Sequence, residues 1–159
     1  MRLVPVGSVV QYNETLDAVG TGLLDGHITA TVYFSGKDPA FALLGDLIAA
    51  YEHPEQVFMF LRHGGGDALL RELMAPYGVH YIGGSATGKE AFVSKIPIRG
   101  VDDFAGVKLR APEGMAQDIF ERVGAAPVNL PAAEVYTAVE RGVVDAADWA
   151  TYSMNHQLG

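Results

Sequence analysis

The residues of this chain that are best placed to do chemistry lie in the stretch 106–114, which reads Gly-Val-Lys-Leu-Arg-Ala-Pro-Glu-Gly. Val107 and Leu109 alternate with polar residues, which predicts a short strand with Arg110 at its carboxyl end. Open α/β sheets bind their ligands at that end of the strands. A guanidinium there can hold a carboxylate through two parallel hydrogen bonds, so the stretch predicts an anion clamp.

The same spacing leaves a second interpretation open for this arginine. Arg110 is equally well placed to be a surface residue that pairs with Glu113 or Asp103. In either case, Pro112 is expected to open the next helix, since proline is favoured in the first helical turn. The elements around the arginine have to decide between the two interpretations.

Composition sets the limits within which such a site has to be built. The chain has 159 residues, of which 49% are hydrophobic, and its net charge of −8 argues against nucleic acid as a partner. It has no cysteine, which excludes disulfides and thiolate zinc sites. No apolar run reaches the ~20 residues that a bilayer requires. The chain begins without a signal-peptide pattern, in a strand-like stretch, and ends in a helical pattern, so we expect a fragment.

The hydrophobic pattern predicts strands that alternate with helices. The predicted strands are residues 2–6, 28–34, 79–82, 91–93, 107–110, 126–130 and 144–149. The predicted helices are residues 13–19, 40–51, 54–62, 68–75, 115–123, 131–141 and 152 onward, with Asn13 and Asp67 as N-caps. This alternation predicts an α/β fold with a mostly parallel sheet.

Two segments of the chain resemble each other. Residues 14–26 and 134–146 both read Glu, then Ala-Val, then Gly, then two apolar residues and Asp, at a constant offset along the chain. Each is predicted to be the helix of a β-α-β unit that ends at the shared glycine. Either two similar lobes each contribute one unit, or helix–glycine–strand junctions have converged by chance. Two lobes would offer a cleft for a ligand.

Several motifs together carry a family resemblance. They are Leu16-Asp-Ala-Val19, Tyr33-Phe-Ser-Gly-Lys-Asp-Pro-Ala40, Val107-Lys-Leu-Arg-Ala-Pro112, Gly124-Ala-Ala-Pro-Val128, Leu130-Pro131, Glu134-Val-Tyr-Thr-Ala138 and Gly142-Val-Val-Asp-Ala-Ala-Asp-Trp149. The chain resembles the extracytoplasmic solute-binding proteins of TRAP transporters, the DctP family. It is most similar to the branch that binds keto acids and hydroxy acids.

The resemblance implies an α/β fold of the two-lobed, class II periplasmic-binding-protein type, incomplete in this chain. The first lobe would be residues 1–86 and part of the second 87–147, with a hinge crossover and the start of a return segment at 148–159. It implies a receptor, not an enzyme. The receptor would capture a small organic acid, such as a 2-oxo or 2-hydroxy acid, between the lobes in the periplasm and deliver it to the TRAP membrane permease. It also allows a homodimer of the full-length protein.

The resemblance also assigns substrate-binding residues. Arg110 matches the arginine that pairs with the ligand carboxylate, and Trp149 matches a residue that lines the pocket. Tyr33 and Phe34 end a predicted strand and are candidates to cover the ligand, or they are core residues. Asn155 is a candidate hydrogen-bond partner for the ligand, or it faces water.

A cation site is implied in the same way. No cofactor is required, but an acidic residue such as Asp148 helps some relatives to hold a cation that bridges to the substrate. Glu90 stands approximately where those relatives carry glutamine. The two carboxylates, with the backbone oxygen of Trp149, would suit Ca²⁺ or Na⁺. Glu90 would otherwise face a polar group of a different substrate or be a plain surface residue.

The sequence gives little support for an enzymatic function. The histidines show no metal-binding spacing, and the glycine triplet 64–66 lacks the lysine of a phosphate-binding loop. The alternative function is an α/β enzyme that acts on a small carboxylic acid with Glu90 or Asp148 as general base. A folding remnant without activity is a third possibility.

Overall fold

The computed structural model describes residues 2–45, 47, 50–112 and 114–158. Contacts divide the chain into two compact units, Met1–Ala86 and Thr87–Gly159, and we describe each unit by itself. Among the described residues, no helix is both long and apolar enough to cross a membrane.

The second unit is built on a four-stranded mixed sheet. Its strands are β1 (Phe92–Ser94), β2 (Lys108–Arg110), β3 (Ala126–Val128) and β4 (Ala146–Asp148). They lie in the order β1-β4-β2-β3, in which β2 pairs in parallel with both β3 and β4, and β1 pairs antiparallel with β4. The predicted α/β class with a mostly parallel sheet is therefore confirmed in this unit.

Three helices accompany the sheet: α5 (Met115–Arg122), α6 (Val135–Glu140) and α7 (Tyr152–Leu158). Leu109 and Ala146 are paired in register and belong to one buried cluster with Phe120 of α5. The ring of Phe120 meets that of Phe92 edge to face at a centroid distance of 5.3 Å. One face of the sheet is thus closed by aromatic and aliphatic packing against α5.

The start of α5 differs from the prediction that Pro112 opens a helix. Pro112 is buried, and the helix begins at Met115 after Gly114, which has φ +96°. Such a backbone conformation is strained for residues with a Cβ, so glycine is the residue suited to this position. Helix α5 therefore begins three residues after Pro112 and not at it.

The first unit is helical. Its helices are α1 (Thr15–Gly20), α2 (Ala40–Gly45), α3 (Pro54–His63) and α4 (Gly66–Met74), with 3-10 turns at Tyr12–Glu14, Thr31–Phe34 and Ala75–Tyr77. Its core is a cluster of aliphatic and aromatic side chains that includes Leu16, Phe34, Phe41, Leu70 and Met74.

The three strands predicted in the first unit are wrong. Residues 2–6 and 79–82 form no strand, and residues 31–34 of the predicted strand 28–34 form a 3-10 turn. The alternation that prompted the prediction is nevertheless present at residues 79–82, where Val79 and Tyr81 are buried and their neighbours are exposed. A strand also needs a partner for its backbone N–H and C=O groups, and the described residues supply none here.

Helix boundaries in this unit also differ from the predictions. Gly65, in the left-handed conformation with φ +91°, precedes α4, and Asp67 lies inside the first turn instead of capping it. Asn13 lies within the 3-10 turn before α1. The helix predicted for residues 40–51 ends at Gly45, and residues 46, 48 and 49 of that prediction lie outside the described residues.

The internal similarity extends to the backbone. The pair Tyr12–Glu14 and α1 recurs, at one constant offset along the chain, as Ala132–Glu134 and α6. Both helices are followed by a glycine in the left-handed region, Gly22 at φ +78° and Gly142 at φ +71°. In the second unit α6 leads into β4, whereas no strand of the described residues flanks α1. The repeated element is therefore the helix and its glycine stop, not the complete β-α-β unit.

The last residue of α1 makes a close contact that the repeat does not share. A Cβ added at Gly20 would overlap the carbonyl oxygen of Tyr77. At the equivalent position of α6, Glu140 is exposed to solvent. Gly20 is therefore required by packing, not by helix termination.

We expect Gly20→Ala to lower the free energy of unfolding by about 1–3 kcal/mol, since the backbone of Tyr77 would have to move. Urea denaturation measures this. The matched control is Gly26→Ala, where an added Cβ meets nothing within 4 Å. Equal unfolding free energies for the two variants would contradict the packing argument.

Candidate functional site

Arg110 is buried at the carboxyl end of β2, with 5% of its surface exposed. Its Nε donates a hydrogen bond to the carbonyl oxygen of Leu130 at 3.2 Å, and its Nη1 donates to that of Asp148 at 2.8 Å. A buried charged group needs such partners, because burial without them costs about 3–5 kcal/mol. Both acceptors are neutral backbone carbonyls, so these two hydrogen bonds leave the positive charge of the guanidinium in place.

The salt bridge that was the alternative for Arg110 is not formed with Asp103. The carboxylate of Asp103 instead accepts hydrogen bonds from the backbone N–H groups of Arg99 and Gly100, at 2.7 and 3.2 Å. Glu113, the other predicted partner, lies outside the described residues. Arg110 is a buried residue at the carboxyl end of the inner strand β2.

Trp149 follows β4 at the same edge. Its backbone N–H donates to the carbonyl of Ala91 at 3.4 Å, and its own carbonyl accepts a hydrogen bond from Nδ2 of Asn155 at 2.7 Å. Ala150 then adopts a left-handed conformation with φ +51°, which is uncommon for a residue other than glycine. The structure therefore brings Trp149 and Asn155 together, and Asn155 holds the peptide that follows β4.

Glu90 lies two residues before β1, whose first residue, Phe92, pairs with Asp148. Ala91 donates its N–H to the carbonyl of Ala150 at 2.9 Å and accepts a hydrogen bond from the N–H of Trp149 at 3.4 Å, so the regular register ends before Glu90. Asp148 lies on the same face of the sheet as Phe92. Arg110, paired in register with Ala147, belongs to the opposite face.

These residues offer a hard cation oxygen ligands. Carboxylates and backbone carbonyls are the donors that Ca²⁺ and Na⁺ take. No group of three or more His, Asp or Glu side chains in the described ranges is arranged to hold a metal ion. A cation at this edge would therefore use Glu90, Asp148 and the carbonyl of Trp149, and would complete its shell with oxygens of the ligand.

Tyr33 and Phe34 belong to the first unit. The ring of Tyr33 meets that of Tyr12 edge to face at 4.6 Å. Phe34 is 1% exposed, stacks on His27 at 5.7 Å and meets Phe41 at 5.6 Å. These are core contacts, so the role of both residues towards a ligand stays a prediction.

His27, which stacks on Phe34, is a titratable residue with a shifted pKa. Burial lowers the pKa of His27 from its ordinary value of 6.5. Its Nδ1 is buried and finds no hydrogen-bond partner among the described residues. Protonation of the ring is therefore disfavoured in the folded state.

Sequence reasoning missed two features of the site. The carbonyl of Leu130 is a partner of Arg110, and a cavity of about 330 Å³ adjoins Trp149. A carbonyl oxygen leaves no signal in the sequence because every residue has one. The valines of the cavity, Val93, Val135 and Val139, have the sequence pattern of ordinary core residues.

Residues 1–157 match the family described as "Bacterial extracellular solute-binding protein, family 7", the DctP family. A monocarboxylate 2-oxoacid-binding periplasmic protein of Nostoc is 31% identical over 154 residues, which are 96% of this chain and 42% of the relative. The chain thus spans less than half the length of this relative.

Solved structures agree with the family match. A TRAP periplasmic solute-binding protein of Rhodobacter sphaeroides, in an open form without ligand, is 51% identical and has a TM-score of 0.69, over 99% of this chain and 50% of that one. One from Bordetella bronchiseptica, a dimer with co-purified calcium and picolinate, is 25% identical and has a TM-score of 0.87, over 99% and 47%.

The pKa of His27 leads to a pH dependence of stability. A histidine whose folded pKa lies below its unfolded value stabilises the fold fully above pH 6.5, and this contribution is lost as the pH falls through the folded pKa. We expect thermal stability to decrease from about pH 8 to about pH 5, and to decrease less in His27→Gln. Calorimetric melting curves of both proteins measure the difference.

The control for this experiment is His80→Gln, at an exposed histidine of the same unit. Its melting temperature should follow that of the parent protein across the pH range. If His27→Gln and the parent protein lost the same stability on acidification, burial of His27 would not be the cause.

Proposed function

The chain belongs to the bacterial extracellular solute-binding proteins of family 7, the DctP proteins of TRAP transporters, and from this premise we propose that it binds a small organic acid for transport. Its ligand is a monocarboxylate, such as a 2-oxo or 2-hydroxy acid, and Arg110 holds the carboxylate. The family consists of receptors, which return their ligand unchanged. Because the chain covers about half the length of its relatives, the activity of the whole protein is part of this proposal.

One observation carries the proposal. A guanidinium is 5% exposed at the carboxyl end of a parallel strand, and it is fixed there by two backbone carbonyls. This fixation orients the remaining N–H groups before a ligand arrives, which reduces the entropy that binding would otherwise cost. A planar carboxylate is the anion that such a fork fits best. The 2-oxoacid named for the Nostoc relative has the same group.

The residues around Arg110 complete the proposed site. Trp149 lies at the same sheet edge and supplies an aromatic wall, and Asn155 fixes its carbonyl. Tyr33 of the first unit is the proposed cover of the ligand, next to Phe34, whose side chain is 1% exposed and packs against Phe41. We place the receptor in the periplasm, where it delivers the acid to a TRAP membrane permease, and we include a homodimer as in the Bordetella structure.

A cation takes part in the same site under this proposal. The Bordetella structure contains calcium together with a carboxylate ligand. Here Glu90, two residues before β1, and Asp148, the last residue of β4, would hold Ca²⁺ or Na⁺ with the carbonyl of Trp149. A bound cation supplies positive charge for the anionic ligand, and Glu90 in place of glutamine adds a negative charge that strengthens cation binding.

Arg110→Lys tests the proposed clamp. Lysine keeps the charge but loses the planar fork, and truncation of a partner in a buried charged pair costs about 2–5 kcal/mol. We expect pyruvate, the simplest 2-oxo monocarboxylate, to bind at least about 30-fold more weakly in isothermal titration calorimetry.

The matched control is Arg122→Lys, at an exposed arginine of α5. Circular dichroism and thermal melting show whether both variants keep the fold. An unchanged affinity of folded Arg110→Lys for pyruvate would remove Arg110 from the binding site. Conversion of pyruvate, followed by NMR, would favour the general-base alternative at Glu90 or Asp148 over a receptor.

Removal of the cation gives a second test of the site. Chelation of divalent ions should weaken pyruvate binding if Ca²⁺ is the bridging ion, and replacement of sodium by choline should weaken it if Na⁺ is. Asp148→Asn should have the same effect, since it removes a charged oxygen ligand. Asp118→Asn, at an exposed aspartate of α5, is the matched control. Calorimetric affinities that stay constant under all these changes would exclude the cation.

A further inference from the structure

The first unit buries two polar side chains that its apolar core does not explain. Tyr81 is 8% exposed, and its hydroxyl oxygen is buried without a hydrogen-bond partner in the described part of the chain. The same holds for Oδ1 of Asp67, a buried residue in the first turn of α4. Buried polar atoms are almost always paired, because an unpaired one has lost its water without compensation.

The side chains of Tyr81 and Asp67 lie close together. Burial and, next, the negative charge of Asp67 raise the pKa of Tyr81 to about 12. Since a charge changes a neighbouring pKa mainly within about 6 Å, the carboxylate lies near the hydroxyl. The hydroxyl keeps its proton at neutral pH and is a donor, whereas a carboxylate oxygen is an acceptor. The two groups are therefore matched as donor and acceptor, although their present geometry is not that of a hydrogen bond.

Helix α4 also holds the ring of Tyr81. Arg71 lies one turn further along α4 than Asp67, and its guanidinium is over the ring, 5.9 Å from the centroid. Its positive charge lowers the pKa of Tyr81 and so partly opposes the effect of Asp67. One helix thus contacts Tyr81 at the ring face and near the hydroxyl.

The backbone of Gly84 rests on the same hydroxyl. A Cβ added at Gly84 would lie 2.7 Å from the hydroxyl oxygen of Tyr81 and 2.6 Å from Cδ1 of Leu61, which is closer than real Cβ atoms come. Leu61 belongs to the core cluster of the first unit. Gly84 is not among the glycines with a left-handed backbone. The close contact, and not the backbone conformation, therefore requires glycine at this position.

Gly84 belongs to residues 83–88, the segment that connects the two units. Residues 79–91 form no helix or strand, and the boundary between the units falls after Ala86. A Cβ added at the neighbouring Gly83 would meet nothing within 4 Å. Because no helix or strand pairing holds this connecting segment, contacts such as that of Gly84 have to fix its course.

We propose that Tyr81 and Asp67 form a latch that fixes the connecting segment to the first unit at Gly84. The hydroxyl of Tyr81 donates a hydrogen bond to the carboxylate of Asp67, and the hydroxyl held in this way supports the backbone of Gly84. The free part of the connecting segment then begins at Ser85. The inference goes beyond the proposed function, because no ligand takes part in the latch.

Tyr81→Phe tests the latch by the sign of its effect. Loss of an unpaired buried hydroxyl leaves the stability unchanged or raises it, whereas loss of a paired one leaves Asp67 without its donor. We expect the melting temperature of the ligand-free chain to fall by about 2–6 °C in scanning calorimetry. Tyr152→Phe, at a tyrosine that is 76% exposed, is the matched control and should melt like the parent protein. An unchanged or higher melting temperature of Tyr81→Phe would overturn the latch.

A double-mutant cycle shows whether Asp67 is the acceptor. If one hydrogen bond joins the two side chains, Asp67→Ala and Tyr81→Phe remove the same contact. We therefore expect the double variant to lose clearly less melting temperature than the two single variants lose together. Asp67→Ala combined with Tyr152→Phe should instead give additive shifts. Additive shifts for Asp67→Ala with Tyr81→Phe would also overturn the latch.

Gly84→Ala tests the contact from the other side. Its methyl group would displace the hydroxyl, so we expect a lower melting temperature, and a smaller decrease when Tyr81→Phe is also present. Gly83→Ala is the matched control, since its added Cβ meets nothing within 4 Å. If Tyr81→Phe does not fold, the two glycine variants still decide, because equal melting temperatures of Gly84→Ala and Gly83→Ala would contradict the proposal.

NMR relaxation measures the consequence for the connecting segment. The backbone order parameter of Gly84 should be about 0.85 in the parent protein and below about 0.6 in Tyr81→Phe, while the residues of β2 keep theirs. A general loss of stability would not loosen this one segment. A low order parameter of Gly84 in the parent protein, or an unchanged one in Tyr81→Phe, would refute the latch. These measurements use no ligand, so their failure would leave the proposed function intact.

Discussion

A guanidinium buried in a small sheet imposes the strictest condition on this protein. Arg110 needs acceptors, because an uncompensated buried charge is too costly to keep. The strand order meets this need, because β2 lies between β4 and β3. Asp148 is the last residue of β4, and Leu130 lies two residues after β3, so each neighbour supplies one carbonyl. Arg110 is therefore oriented only when the parallel pairings on both sides of β2 are formed.

The pleat of the same sheet separates packing from binding. Leu109 and Ala146 face α5 and its Phe120, where they contribute to the core. Arg110 and Val93 face the other way, towards α6 and the cavity. Asp148 shares the first face, at the carboxyl end of β4. The side chains of Asp148 and Arg110 therefore lie on different faces of the sheet.

Local sequence accounts for the repeated helices. Helices α1 and α6 share an Ala-Val pair at the same positions, and Gly22 and Gly142 follow them in the left-handed conformation that glycine adopts at little cost. The strands depend on more than local sequence. Residues 79–82 keep the burial pattern of a strand without forming one, because a ladder needs a second backbone and alternation within one segment does not supply it.

The sequence by itself determined the α/β class, the position of Arg110 at a strand end, the glycine stops at Gly22 and Gly142 and, through the family motifs, the kind of receptor. Each of these depends on neighbouring residues or on a motif read in order. Only the tertiary structure decided which carbonyls hold Arg110, that Asn155 fixes the carbonyl of Trp149, and that the valines of β1 and α6 line a cavity on the arginine's face. The two contacts of Arg110 join residues 20 and 38 positions apart and that of Asn155 spans six positions, and all three end on backbone carbonyls. Backbone atoms are the same in every residue, so the order of side chains carries no record of which of them will meet.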